Sequence, residues 1–179
     1  MPGPEARNPA ENGPSVAGFA PVFDSESRVL ILGTAPSPAS LAYGFFYGHP
    51  QNAFWRILGD LTGDEPGNSP AERRAFLLRH GVALWDTLAR CERAGALDDN
   101  IRAEVPSDVA GLLARCPGVR AVFLNGGAAL RYFRRYHAAK VNVPFFALPS
   151  TSPANARGGY AKKLGAWKAL APYLTYGNS

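Results

Sequence analysis

Residues 28–33 read RVLILG, four aliphatic side chains in a row closed by a glycine. A strand with one wet face alternates apolar and polar residues. An unbroken apolar run is what a strand covered on both faces requires, as in a parallel sheet. Working outward, Val82–Trp85, Val119–Leu124 and Pro144–Leu148 are three more short apolar runs. Helical signals separate them. NAFWRILGDL sets Phe54, Leu58 and Leu61 on one helical face, and Ser69-Pro70-Ala71-Glu72 is a capping box whose helix should run to about His80 and stop at Gly81. Ser107-Asp108 can cap a helix carrying Val109, Leu112 and Leu113. Asn125-Gly126-Gly127 opens a helix with Leu130 and Phe133, and a last helix carries Leu164, Trp167 and Leu170. Four strands alternating with helices predict an α/β fold, a parallel sheet with helices on both faces.

The 179 residues suit one domain with a tail. MPGPEARNPAENGPSVAGFAP is rich in Pro, Gly, Ala and Asn without apolar period, so residues 1–20 read as a flexible leader and 21–179 as a single domain. At 46% hydrophobic and 18% charged residues, the chain can bury a sizeable core. A net charge of +5 suits a polyanionic partner such as nucleic acid. Cys91 and Cys116 fall in no CxxC or Cys/His pattern, and His49, His80 and His137 are scattered, so no zinc or iron–sulfur ligand set can be drawn and no cofactor is expected. The two thiols read as buried and reduced. No apolar run has membrane-spanning length and no signal-peptide core opens the chain, so a cytoplasmic protein is expected.

In open parallel sheets, ligands bind beyond the carboxyl ends of the strands. GTAPSPAS after the first strand and LPSTSPANAR after the fourth are dense in small hydroxylated residues and proline. Their N–H groups and hydroxyls could approach phosphate closely, although the same composition is ordinary turn chemistry. Several chemistries drop out. There is no GK[ST], no GxGxxG after the first strand and no GxSxG. His49 has no acidic neighbour in sequence to orient it as a base, and before proline it reads as a structural hydrogen-bonder.

Residues 43–55, YGFFYGHPQNAFW, set His49 and Asn52 among six aromatics. Asn52 is a good helix cap, and on these residues alone that is the better reading. Four segments change the balance: ILGTAPSPASLAYGFFYGHPQNAFWRILG, GVALWDTLARCERAGALDDNI, VFLNGGAAL and LPSTSPANA. Together they resemble the uracil-DNA glycosylase superfamily, most closely its hypoxanthine-DNA glycosylase (DNA-deoxyinosine glycosylase) family. GHPQNAFW and LPSTSPANA are the specific matches. The resemblance implies a three-layer α/β sandwich around a four-stranded parallel sheet, working as a monomer on DNA that contains a deaminated base.

The departures are informative. Mismatch-specific uracil glycosylases carry GxNPG after the first strand, with a catalytic Asn in third place, and this chain has Ala35 there. Their Phe-Ala-His-Pro-x-Asn segment corresponds to Tyr47–Asn52, and the resemblance makes Asn52 the catalytic residue. The polar residue that starts the second motif elsewhere is Leu148, and the usual leucine wedge falls at Ser152.

A base inside a duplex must be flipped out before it can be cut, and an aromatic pocket recovers part of the cost. Tyr47 is the first choice for the stacking ring and Phe46 the second; alternation suggests that one faces the base and the other the core. Gly33 and Thr34 are the further base-binding candidates, and Ser37, Ser150, Ser152 and Arg157 the DNA-binding ones. Lys162 and Lys163 could lie along the DNA backbone, with Arg131, Arg134 and Arg135 as a rival basic face. Asn52 could align a water beneath the anomeric carbon or donate to the leaving base. No lysine lies in either motif loop, so simple base release with water as nucleophile is expected. A uracil enzyme of the same fold and a non-catalytic binder of damaged DNA are the alternatives.

Overall fold

The computed structural model describes residues 13–155 and 158–176. In chain order they form β1 (Ser15–Ala17), β2 (Val29–Gly33), α1 (Pro38–Tyr43), α2 (Phe54–Thr62), α3 (Pro70–Arg79), β3 (Val82–Asp86), β4 (Leu88–Arg93) and β5 (Ile101–Pro106). Then come α4 (Val109–Arg115), β6 (Ala121–Asn125), α5 (Gly127–Tyr136), β7 (Phe145–Leu148) and α6 (Gly159–Trp167), which tightens into a 3₁₀ segment over Lys168–Tyr173. The caps follow the local chemistry. Ser69 accepts from the Glu72 N–H at 3.1 Å to start α3, Asp108 accepts from Gly111 at 3.0 Å to start α4, and Gly81 leaves α3 with φ +73°.

The four apolar runs build one parallel sheet in the order β3-β2-β6-β7. Strand alternation divides its two faces. Val29, Ile31, Val82, Leu84 and Phe123 face α2, α3 and α6 through Ile57, Leu58, Phe76, Leu77 and Trp167. Leu30, Leu32, Ala83, Val122 and Leu124 face α4 and α5 through Val109, Leu112, Ala129 and Phe133. This is the expected three-layer sandwich. At about 25 cal/mol per Å² of buried apolar surface, the fully covered β2 and β6 contribute more than the edge strand β7, where Phe146 is exposed.

The apolar pattern does not announce the second sheet. β1, β4 and β5 pair antiparallel in the order β1-β4-β5 and bury Val16, Leu88, Cys91 and Ile101 with Tyr132 of α5. The expected leader at 1–20 is corrected accordingly: Val16 is buried, Ser15–Ala17 pair with Arg90–Glu92, and Phe19 packs edge-on against Phe46 at 5.3 Å. Residues 1–12 lie outside the described residues. Cys91 and Cys116 are free and buried, and burial pushes both thiols up. Among the described residues no helix is long and apolar enough to cross a membrane, and no group of three or more His, Cys, Asp or Glu is placed to hold a metal ion.

Candidate active site

The carboxyl ends of all four parallel strands open into one cleft. Gly33 and Thr34 line it from β2, Asp86 from β3, Asn125 from β6, and Ser150, Thr151 and Ser152 from the loop after β7. Phe46, Tyr47 and Asn52 close it from the segment between α1 and α2, and Arg93 and Asp98 from the small sheet. The site thus stands where an open α/β sheet is expected to hold a ligand.

Backbone geometry aims Tyr47 into the cleft. Its φ of 53° lies in the left-handed region, unusual for a bulky residue and costing about 1 kcal/mol or more. The indole N–H of Trp55 donates to the carbonyls of Phe46 and Tyr47, each at 3.2 Å, and holds that turn in place. The Tyr47 ring stacks on Phe54 at 4.2 Å. Its buried hydroxyl reaches Gly33, where a Cβ would stand 2.7 Å from Tyr47 Oη and 2.6 Å from Asp86 Oδ1. Gly33 is therefore the residue whose missing side chain lets these two groups converge. Phe46 faces the core, as alternation suggests for one ring of the pair. It is buried against Phe19 and Phe45, and only part of it forms cleft wall.

Asn52 stands one residue ahead of Ala53, the N-cap of α2, and also lines the cleft. Its Oδ1 accepts from the Phe54 N–H at 3.0 Å, which fixes the amide plane at the start of α2. An amide oxygen has two lone pairs, and this turn uses one of them. The neighbouring Ala53 N–H donates to the Thr151 carbonyl at 3.0 Å, tying the segment to the loop after β7. That loop is itself pinned: Asn125 Nδ2 donates to Thr151 Oγ1 at 2.9 Å, Thr151 N–H donates back to Asn125 Oδ1 at 3.0 Å, and Trp167 Nε1 donates to the Pro149 carbonyl at 2.9 Å. His49 Nδ1 accepts from the Gln51 N–H at 3.1 Å.

The hydroxyls of the motif loops are engaged locally. Ser37 caps α1 by accepting from Ser40 N–H at 3.1 Å, Ser150 accepts from Ser152 N–H at 3.1 Å, and Ser152 accepts from Ala154 N–H at 3.3 Å. All three nevertheless line the cleft. Arg157 lies outside the described residues. Lys163 is buried on α6 and reaches the Ser152 carbonyl at 3.4 Å, beside the groove it shares with Asn52, Arg56 and Tyr160. On the rival basic face, Arg135 is paired with Glu104 at 3.2 Å.

Sequence reasoning misses the charged floor of the cleft. Arg93, almost wholly buried, donates from Nε to the Gly95 carbonyl at 3.1 Å, donates to the Pro36 carbonyl, and lies 3.6 Å from Asp98. It thereby clamps the loop after β2 onto the small sheet. Burial raises the Asp98 carboxyl above its ordinary range despite Arg93. Asp86 is 4% exposed, its Oδ2 meets no hydrogen-bond partner, and burial with the nearby Asp98 charge pushes its carboxyl up to about 7. Burial and the Asp86 charge likewise raise Tyr47, against a smaller lowering influence of the nearby Asn125 amide, and its Oη makes no hydrogen bond of good geometry. A carboxylate directly after the apolar VALW, at the mouth of a strand legible in the sequence, is the signal that could have found it.

Comparison with known proteins agrees with this geometry. The family model described as the uracil DNA glycosylase superfamily matches residues 20–171. A hypoxanthine DNA glycosylase of Methanosarcina acetivorans is 33% identical over 141 residues, covering 78% of this chain and 88% of that protein. Its counterpart in Methanosarcina barkeri is 32% identical over 149 residues, covering 83% and 93%. Among solved structures, the solution NMR structure of a candidate uracil DNA glycosylase from Methanosarcina acetivorans superposes with a TM-score of 0.75 at 30% identity, covering 88% of this chain and 96% of that one. Fold and sequence agree, and the chain belongs to the uracil DNA glycosylase superfamily as a DNA glycosylase.

Proposed function

We propose that the protein flips a deaminated base, chiefly hypoxanthine, out of DNA and releases it by hydrolysis, leaving an abasic site. It acts as a monomer in the cytoplasm, in base excision repair. The observation that carries this reading is Asn52 at the cleft mouth, its amide fixed by the Phe54 N–H, in a chain about one third identical to two proteins named hypoxanthine DNA glycosylase.

Cleavage of the glycosidic bond builds positive charge on the sugar and negative charge on the departing base. Preorganised dipoles aimed at those charges accelerate it without a carboxylate base. Asn52 Oδ1, held by one hydrogen bond, keeps a lone pair to align water beneath the anomeric carbon. Tyr47, backed by Phe54, offers the stacking surface, and Gly33 and Thr34 the close wall. Ser37, Ser150 and Ser152 present backbone and hydroxyl groups at the rim, where the DNA backbone would pass, with Lys163 supplying positive charge; Arg157, outside the described residues, is a further proposed DNA contact on its charge alone.

The test is base release from matched duplexes carrying one deoxyinosine or one deoxyuridine, with wild type and Asn52→Ala. Hypoxanthine release that falls by about 100-fold or more in the variant is expected. Faster release of uracil would move the protein to a uracil specificity. Binding without release of either base would make Asn52 a cap and the protein a binder.

A further inference from the structure

Most polar atoms at the back of the cleft are already committed. Asn125 and Thr151 satisfy each other, and Arg93 is engaged by Gly95, Pro36 and Asp98. Two buried cleft atoms are left without a partner, Asp86 Oδ2 and Tyr47 Oη, and both side chains converge on Gly33. An unpartnered buried polar atom costs about 1–3 kcal/mol, so a pair of them at the end of an otherwise satisfied cleft calls for a ligand.

We propose that Asp86 donates a hydrogen bond from its unpartnered carboxyl oxygen to an acceptor on the flipped base, a carbonyl oxygen or ring nitrogen, and holds the negative charge that the base acquires as the glycosidic bond breaks. The inference rests on the glycosylase reading above and adds a catalytic contact to it. A base edge presents acceptors, and the departing base gains electron density on them. An ionised carboxylate at that spot would repel the charge, whereas a carboxylic acid donates to it. The surroundings favour the acid. Burial is the largest influence, and the charged groups facing Asp86 are Asp98, which opposes ionisation, and Arg93, which favours it less and is already engaged with Asp98. Tyr47 stays a neutral donor alongside it. No proton needs to leave Asp86 during the reaction; the hydrogen bond strengthens as charge develops.

The experiment is single-turnover base release from the deoxyinosine duplex across about pH 5 to pH 9, for wild type, Asp86→Asn and Asp86→Ala, with thermal melting to verify folding. Wild-type release is expected to fall about tenfold per pH unit above the Asp86 carboxyl's value of about 7. Asp86→Asn, whose amide is a weaker but permanent donor, should be slower by less than about tenfold at acidic pH and lose the alkaline fall, while Asp86→Ala should lose about 100-fold. A wild-type rate that climbs through neutrality, or an alkaline limb that persists in Asp86→Asn, would overturn the assignment. If wild type releases no base at all, the glycosylase reading fails by itself, and a second measurement then decides on Asp86. Carbon-13 titration of the aspartate carboxyls with free hypoxanthine should move the Asp86 value upward, since a ligand that binds the protonated form favours it. An unmoved value overturns the contact.

Discussion

Asp86 and Asp64 are the same side chain placed in two regions of one molecule, and their carboxyls move in opposite directions. Asp64, in the loop after α2, is met by Arg79 Nη2 at 2.8 Å, Arg79 Nε at 2.9 Å and His80 Nε2 at 2.8 Å, while Glu65 N–H donates to its other oxygen at 2.8 Å. These partners, His80 first, hold it down at about 2. His80 in turn reaches the Thr175 carbonyl at 2.6 Å, so this cluster fastens the loop to the end of the chain. Asp86 has the burial without the partners. A carboxylate placed for stability is surrounded by donors, whereas one placed in a cleft is left wanting, and the cost is tolerated because the rest of the sandwich is well packed.

The largest expected effect is on the pH dependence of stability. Asp86 rises from 3.8 to about 7 on folding. The folded state therefore binds its proton more tightly, and the associated stability is fully present below 3.8 and lost as pH rises through about 7. The loss amounts to a few kcal/mol, since each tenfold difference in proton affinity between the folded and unfolded chain is worth about 1.4 kcal/mol. Asp86→Asn should abolish that decline, so that melting temperatures taken across the same range are flatter than wild type and higher above neutrality. A variant that melts lower than wild type at alkaline pH would mean that Asp86 is stabilised as a carboxylate, and the contrast with Asp64 would collapse.

Asp64→Asn should do the reverse, by a smaller amount because the carboxylate is part-exposed. Asp64 is lowered on folding, so its contribution is present above 3.8 and disappears as pH falls through about 2. At neutral pH the variant should melt below wild type, with the difference shrinking under acid and under high salt. Base release should be untouched, since Asp64, Arg79 and His80 do not line the cleft that holds Asp86 and Tyr47. A melting temperature equal to wild type at neutral pH and low salt would show that the cluster is ornamental.

The same contrast explains what can be read from the amino acids. The parallel sheet is legible because β2 and β6 are buried end to end, so their apolar runs are unbroken. The small sheet is not. In β4, Leu88, Cys91 and Arg93 turn inward while Arg90 and Glu92 do not, and in β5 only Ile101 is buried, so both strands look like charged loop. Residues 15–17 depend on β4 for pairing and cannot be seen without it. Within the cleft, Gly33, Thr34, Tyr47 and Asn52 stand out because they sit in unusual local motifs. Arg93 and Asp98 reach it only through the unseen sheet. Arg93 in particular looks like an ordinary surface charge until its burial and its bond to Pro36 are known.

The smallest effect separates the two unpartnered atoms. Tyr47→Phe removes Oη and leaves the ring stacked on Phe54 at 4.2 Å. Deleting a buried hydroxyl that lacks a partner costs the folded state nothing in hydrogen bonding and relieves its desolvation, worth about 1 kcal/mol or less here. The melting temperature should therefore hold or rise slightly. Removing the hydroxyl leaves Asp86 buried beside Asp98, so the alkaline fall in base release should persist even if the rate drops several-fold. If Tyr47→Phe instead melts well below wild type, Oη is bonded within the protein, and the cleft has one group waiting for a ligand rather than two. If the alkaline fall vanishes with the hydroxyl, it belongs to the pair, and Asp86 and Tyr47 act on the base as one coupled donor.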